Sequence, residues 1–212
     1  MNWNIAPAEV FATSPIVPVM VIKQVEDAVP LAKALLDGGI SIFEVTLRTD
    51  AALDSIKAIA EAFPDSMIGA GTVLTPEQYD QAVAAGAKFV ISPGAGTQLL
   101  MHAAKNRVAL IPGVATPTEI MNAMDLGYDH LKFFPAEANG GAKALQAISA
   151  PLAQVSFCPT GGVNAQNMAD YRALKCVKTV GGTWMIPNKA IEQKNWSLIT
   201  ELTKQAIELA QG

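Results

Sequence analysis

A chain of 212 residues, half of them apolar and only 16% charged, is long enough for one sizeable core and short for two enzyme domains. The formal net charge of −4 and the scatter of its Lys and Arg residues exclude a nucleic-acid or anionic-membrane surface. The longest apolar run, near Pro15 to Ile22, is far too short to span a bilayer, so so lean a charged surface implies burial in a core or a subunit interface.

The N-terminal stretch, Met1 to Thr13, has no positive lead followed by an apolar run, so it does not read as a secretory signal and a cytoplasmic location is expected. A short helix over residues 7–12 is expected before the first strand. Eight strand-like runs then follow, at 16–21, 40–45, 67–70, 88–91, 108–111, 129–134, 155–158 and 176–180. Their spacing is that of βα units, and most are almost continuously apolar, as parallel strands buried on both faces should be. Between them lie helical stripes. The first uses Ala28, Leu31, Ala32, Leu35 and Leu36, with Pro30 in its first turn and Gly38-Gly39 as its stop. Leu53, Ile56, Ala60 and Phe63 form the next, ending near Pro64. Ile120, Met121 and Met124 follow Thr116-Pro117, and Ile199, Leu202, Ala206 and Leu209 mark a long C-terminal helix. Cys158 and Cys176 both fall in apolar strand-like runs and read as buried, reduced thiols.

Eight βα units without a linker predict a single-domain (β/α)8 TIM barrel over residues 1–212. An open doubly wound sheet is the alternative, but it would put a Gly-rich turn after the first strand, where Lys23-Gln24 stands. In a barrel the active site lies at the C-terminal ends of the strands. There, Lys132 interrupts Leu131 and Phe133-Phe134, a costly place for a charge. Side chains alternate along a strand, so Lys132 shares a face with His130 and Phe134 and turns inward, while Leu131 and Phe133 pack under the helices. Glu44 occupies a matching place on the second strand, on the face of Ile40 and Ile42. Strands two and six oppose each other in a ring of eight, so Lys132 and Glu44 are expected to meet across the mouth.

A buried structural ion pair is one reading of these two residues; a nucleophilic amine with a proton-transfer partner is the other. Attack on a ketone needs a neutral amine, which an apolar pocket and a neighbouring cation such as Arg48 both favour. Glu44 would oppose that, so its use in such a site is proton transfer. Gly161-Gly162 and Gly181-Gly182 fall after the seventh and eighth strands, where this fold commonly binds phosphate through backbone N–H groups. Asn164 is a candidate cap for the helix that follows, and Thr183 and Thr160 add hydroxyls. Arg48 is either a carboxylate clamp or a surface arginine opening a helix. Glu137 is a competing acid/base candidate or a loop cap. His102 and His130 are the only histidines, one on a helix and one deeper in the barrel, so no metal site and no cofactor are expected.

At these residues the sequence resembles the 2-keto-3-deoxy-6-phosphogluconate (KDPG) aldolase family, whose members are also called 4-hydroxy-2-oxoglutarate aldolases. The matching segments are Glu44-Val45-Thr46-Leu47-Arg48, Gly69-Ala70-Gly71-Thr72-Val73-Leu74, Ile91-Ser92-Pro93-Gly94 and Leu110-Ile111-Pro112-Gly113, then Lys132-Phe133-Phe134-Pro135-Ala136-Glu137, Cys158-Pro159-Thr160-Gly161-Gly162 and Gly181-Gly182-Thr183-Trp184. The resemblance implies a class I aldolase in which Lys132 forms an imine with the substrate ketone and Glu44 shuttles protons. It implies that Arg48, Thr72 and the Pro93 loop hold the keto-acid carboxylate, that Phe134 and Thr160 line the pocket, and that Gly161, Gly162, Gly181, Gly182 and Thr183 hold the phosphate. The partner is then a small keto-acid phosphate, and the assembly a homotrimer. Relatives often carry Ser where this chain has Thr183, which keeps the hydroxyl and adds a methyl. A phosphosugar isomerase or epimerase on the same barrel, or a non-catalytic phosphate-ligand binding barrel, are the rival readings; neither gives Lys132 a covalent task.

Overall fold

The computed structural model describes residues 1–211. It opens with helix α1 (Pro7–Ala12), followed by β1 (Ile16–Met20), α2 (Ala28–Asp37), β2 (Ile42–Thr46), α3 (Ala52–Ala62), β3 (Met67–Gly71), α4 (Pro76–Ala84) and β4 (Phe89–Ile91). Then come α5 (Thr97–Ala103), β5 (Ala109–Ile111), β6 (Gly113–Val114), α6 (Pro117–Asp125), β7 (His130–Phe133), α7 (Gly141–Ser149) and β8 (Ser156–Pro159). The chain ends with α8 (Met168–Arg172), β9 (Val180–Gly182), α9 (Asn188–Glu192) and α10 (Trp196–Gln211). Among the described residues no helix is long and apolar enough to cross a membrane.

Every strand pairing is parallel, in a curled six-stranded sheet ordered β5-β4-β3-β2-β1-β9 and a three-stranded sheet ordered β6-β7-β8. All five residues of β2 are buried, as expected of a strand covered on both faces. The helix signals act where the sequence puts them. Pro30 sits in the first turn of α2, and Gly39 leaves that helix with a φ of +96°, a conformation open to glycine without a Cβ penalty. Thr116 and Glu119 form a capping box at α6, and Pro117 is its first residue.

Two strand expectations need correction. The fifth run, expected over residues 108–111, is β5, but an unexpected second short strand, β6, follows it beyond Pro112. A proline has no N–H to give a ladder, though its carbonyl still accepts from the Lys132 N–H at 2.9 Å. The eighth run, expected over residues 176–180, pairs with β1 only from Val180 onward. Leu174 to Val177 instead close a turn, with the Val177 N–H donating to the Leu174 carbonyl at 2.9 Å. Among the described residues the chain therefore forms nine strand segments in two sheets instead of the expected eight in one ring. The sheets meet through two single parallel bridges, Phe157 with Val177 and Thr160 with Gly181.

Helix α1 covers the N-terminal ends of the strands. Its Pro7, Val10 and Phe11 are buried, and the Phe11 ring meets that of His130, the first residue of β7, at 5.2 Å. That leaves the opposite, C-terminal ends of the strands for chemistry.

Candidate active site

Glu44 and Lys132 sit near the C-terminal ends of β2 and β7, on different sheets, and they meet. Lys132 Nζ donates to Glu44 Oε1 at 3.1 Å, and the residues are 6% and 1% exposed. Bringing two charges out of water costs several kcal/mol each and is recovered only by close geometry, so a pair held this deeply is a poor device for stability and a reasonable one for chemistry. The strand parity that turned both side chains inward is thus correct. Gly71, at the end of β3, explains how Glu44 fits: a Cβ there would lie 2.7 Å from the Glu44 Cγ and Cδ.

Other groups surround the ammonium. The Phe134 ring centroid is 5.2 Å from Lys132 Nζ, a cation–π distance. Cys158 is Lys132's register partner on β8, so its thiol shares the inward face. Burial pushes that thiol up to about 12, although the Lys132 charge and a hydrogen bond with Thr160 pull the other way. Gly113 is Lys132's partner on β6, and a Cβ at Gly113 would strike the Pro93 backbone, so the Pro93-Gly94 turn lies against it. The Ser92 hydroxyl donates to the Gly94 carbonyl at 2.7 Å and holds that turn. Thr72 follows directly on Gly71 with a φ of 58°, a conformation uncommon for a β-branched residue. Such strain persists only where the surroundings enforce it, often at functional sites.

The glycine pairs separate into two kinds. Gly161 and Gly162 lie in the loop after β8 with φ of +99° and +82°, so both adopt the left-handed conformation glycine favours. Gly181 and Gly182, by contrast, belong to strand β9. Thr160 fills the space a Gly181 side chain would need, and the Trp184 ring fills that of Gly182. The absent Cβ atoms of β9 therefore make room for Thr160 and Trp184. Asn164 does not cap α8 directly, since the helix begins at Met168. Its carboxamide oxygen instead accepts from Gln166 and Asn167 N–H groups at 2.9 and 3.3 Å.

Arg48 and Thr183 are exposed at the rim, and among the described residues the Arg48 guanidinium has no carboxylate within ion-pair distance. Thr160 is buried, with its hydroxyl 3.5 Å from the Cys158 carbonyl. Glu137 accepts from the Tyr171 hydroxyl on α8, a contact between distant side chains and not the loop cap expected as the alternative to acid/base work. His102 pairs with Asp80 at 2.8 Å and His130 with Asp129 at 2.7 Å, and among the described residues neither is hydrogen-bonded to Lys132 or Glu44. Among the described residues no three His, Cys, Asp or Glu side chains come together as a metal-binding group. Sequence reasoning missed Gly71, Gly113 and Tyr171. Register alone would have found Gly113, because it lies beside Lys132 once β6 and β7 are aligned.

Residues 8–202 match the family model described as the aldolases of KDPG and KHG, where KHG is 4-hydroxy-2-oxoglutarate. The chain belongs to this family. It is 52% identical over 211 residues to the 2-dehydro-3-deoxy-phosphogluconate aldolase of Pseudoalteromonas atlantica, covering 100% of this chain and 98% of that one. To the KHG/KDPG aldolase of Escherichia coli it is 50% identical, covering 98% of this chain and 97% of the relative. Among solved structures, the KDPG aldolase of Legionella pneumophila superposes with a TM-score of 0.95 at 52% identity, over 97% of this chain and 99% of that one. That crystal structure holds pyruvate captured at low pH as a covalent carbinolamine intermediate. A KDPG/KHG aldolase that forms such an adduct needs an amine nucleophile, and Lys132 is a buried amine at these strand ends.

Proposed function

We propose that this aldolase cleaves 2-keto-3-deoxy-6-phosphogluconate to pyruvate and glyceraldehyde 3-phosphate, and 4-hydroxy-2-oxoglutarate to pyruvate and glyoxylate, through a Schiff base on Lys132. The observation that carries the reading is the buried Lys132–Glu44 contact of 3.1 Å at the C-terminal strand ends. Proton transfer across that hydrogen bond turns an ion pair into a neutral amine and an acid, so the site can make its own nucleophile. The Lys132 amine adds to the C2 carbonyl and gives a carbinolamine. Glu44 supplies the proton that lets water leave, and an iminium remains. The Glu44 carboxylate then takes the C4 hydroxyl proton, directly or through water. The C3–C4 bond breaks, its electrons form the C2–C3 double bond while the iminium π electrons return to nitrogen, and the aldehyde departs from the resulting enamine. Protonation at C3 by Glu44 and hydrolysis of the imine release pyruvate and restore Lys132.

Arg48, Thr72 and the Pro93 turn are assigned to the substrate carboxylate, with Phe134 and Thr160 as pocket walls. Gly161, Gly162, Gly181, Gly182 and Thr183 are assigned to the phosphate, the glycines through their backbone and Thr183 through its hydroxyl. We read the two sheets as one closed (β/α)8 ring and the chain as one domain. With β5 and β6 counted as one strand broken at Pro112, three strands separate β2 from β7 on one side (β3, β4, β5/β6) and three on the other (β1, β9, β8). Opposite placement is what the Glu44–Lys132 contact needs. We propose a cytoplasmic location and, as the family resemblance implies, a homotrimer, which a surface this lean in charge suits; sedimentation velocity tests the subunit number.

The decisive experiment is borohydride reduction with pyruvate present, followed by peptide mass mapping. A reduced pyruvate adduct on the Lys132 peptide is expected; active enzyme with no adduct on any lysine rules the mechanism out.

A further inference from the structure

The Gly161-Gly162 turn is held from outside the reaction centre. The Gly161 carbonyl accepts from the Glu137 N–H at 3.0 Å, and the Gly162 carbonyl accepts from both Asn164 Nδ2 and Asn167 Nδ2 at 3.1 Å. The peptides on either side of Gly162 are trans, so each N–H points opposite to its carbonyl. Fixing the Gly161 carbonyl toward the β7–α7 loop therefore aims the Gly162 N–H away from it. Fixing the Gly162 carbonyl on the two asparagines aims the Val163 N–H in turn. Among the described residues neither of these N–H groups donates to another backbone group. Two oriented, unspent donors in succession form a concave anion site.

The Glu137 backbone that aims the first donor is itself pinned. Its carboxylate accepts from the Tyr171 hydroxyl, and its Cγ lies 2.6 Å from where a Gly162 Cβ would stand. Tyr171 is fully buried, and burial together with the Glu137 hydrogen bond and charge raises its phenol, which keeps it a donor. Tyr171 thus braces Glu137, and Glu137 braces the turn by its N–H and by side-chain packing.

We propose that Tyr171 and Glu137 are positioning residues that set the Gly161-Gly162 turn for a phosphate, and so set the preference for phosphorylated over unphosphorylated keto acids. The inference rests on the dual-substrate reading above. The test measures kcat and KM on 2-keto-3-deoxy-6-phosphogluconate and on 4-hydroxy-2-oxoglutarate for wild type, Tyr171→Phe and Glu137→Gln. Inorganic phosphate serves as a competitive inhibitor of the first reaction. Tyr171→Phe is expected to raise KM for the phosphorylated substrate, and to weaken phosphate inhibition, by about three- to tenfold, near the scale of one ordinary hydrogen bond. Its kcat and its kinetics on 4-hydroxy-2-oxoglutarate stay within about twofold of wild type if no transition-state contact is lost. Glu137→Gln keeps an oxygen acceptor for Tyr171 and is expected to stay near wild type on both. Equal losses on both substrates, or no change, in Tyr171→Phe overturn the positioning role. Loss of both activities in Glu137→Gln makes Glu137 an acid/base catalyst and overturns it too. Wild-type enzyme that fails to cleave the phosphorylated substrate overturns the dual-substrate reading, and the inference with it.

Discussion

Glu44 Oε1 and Lys132 Nζ face each other at 3.1 Å although their strands belong to different sheets, and neither side chain has more than a few per cent of its surface exposed. The contact is therefore a property of the whole fold. No local segment can form it, since the two residues are 88 apart in the chain.

Removing one partner should separate chemistry from stability. Lys132→Met abolishes turnover and leaves a buried carboxylate without its cation, at a cost of about 3 kcal/mol or more. For a chain of this size that lowers Tm by roughly 6–12 °C. Adding Glu44→Met replaces the pair by apolar groups and is expected to recover most of the lost Tm with no recovery of activity. Glu44→Gln keeps an acceptor for Lys132, so borohydride still traps pyruvate, while kcat falls about 10²–10⁴-fold for want of the proton carrier. Melting curves and trapping on the same preparations check all three; a Glu44→Gln enzyme with unimpaired turnover would remove Glu44 from the mechanism.

Gly71 is the second lever on the same pair. A methyl there must displace the Glu44 carboxylate, because the Cβ would stand 2.7 Å from Glu44 Cγ and Cδ. Shifts of about 1 Å in a catalytic group cost up to about 10²-fold, so Gly71→Ala is expected to lower kcat by roughly ten- to a hundredfold. KM should change little, since substrate contacts are assigned elsewhere. A Gly71→Ala enzyme with wild-type kcat would show that Glu44 has room to spare.

Lys132 and Glu44 are legible in the sequence because each is a charge inside a short apolar run, and period-two alternation decides which way it points. The helices are legible for similar reasons: Pro30, Thr116-Pro117 and Gly39 act through local backbone geometry that no distant contact overrides. Gly181 and Gly182 are a different case. A Gly-Gly pair signals only that a Cβ is not tolerated, and the groups that forbid it, Thr160 and Trp184, are found only in three dimensions. The apolar run 176–180 reads as a strand, yet Leu174 to Val177 spend their hydrogen bond on a turn and the ladder to β1 starts late. Tyr171 and Glu137 are 34 residues apart on separate loops and helices, and nothing in either local pattern announces their hydrogen bond.

The α6 capping box gives a pH-dependent stability term. The Glu119 carboxylate accepts from the Ala115 and Thr116 N–H groups at 2.8 and 2.9 Å. Burial pulls this carboxyl upward, but the hydrogen bonds from Ala115 and Thr116 outweigh it and leave it below the usual glutamate range. A carboxyl lowered in the folded state contributes stability that is present above its unfolded value, about 4.3, and is lost as pH falls through the folded one. Glu119→Ala is thus expected to cost about 1 kcal/mol at pH 7, or roughly 2–4 °C in Tm. The gap between variant and wild type should close as pH drops below about 4. A gap that stays constant down to pH 3 would mean the box is not the source.

The two thiols offer a check on the inward face itself. Cys158 points into the site beside Lys132, is 2% exposed, and has its thiol pushed up to about 12 by burial. The thiolate is the reactive form, so at pH 8 Cys158 is both shielded and almost wholly protonated. Cys176 is only partly buried, on the turn before β9, with its sulfur 3.4 Å from the Ser149 hydroxyl. Iodoacetamide at pH 8 should therefore label Cys176 in native enzyme while Cys158 stays unmodified and aldolase activity persists. Denaturation should expose both thiols to comparable labelling. Mass mapping after timed quenching reads the two rates separately. Native labelling of Cys158 as fast as Cys176, with loss of activity, would mean that the floor of the site is open to solvent and that the Lys132 amine is not held in dry surroundings.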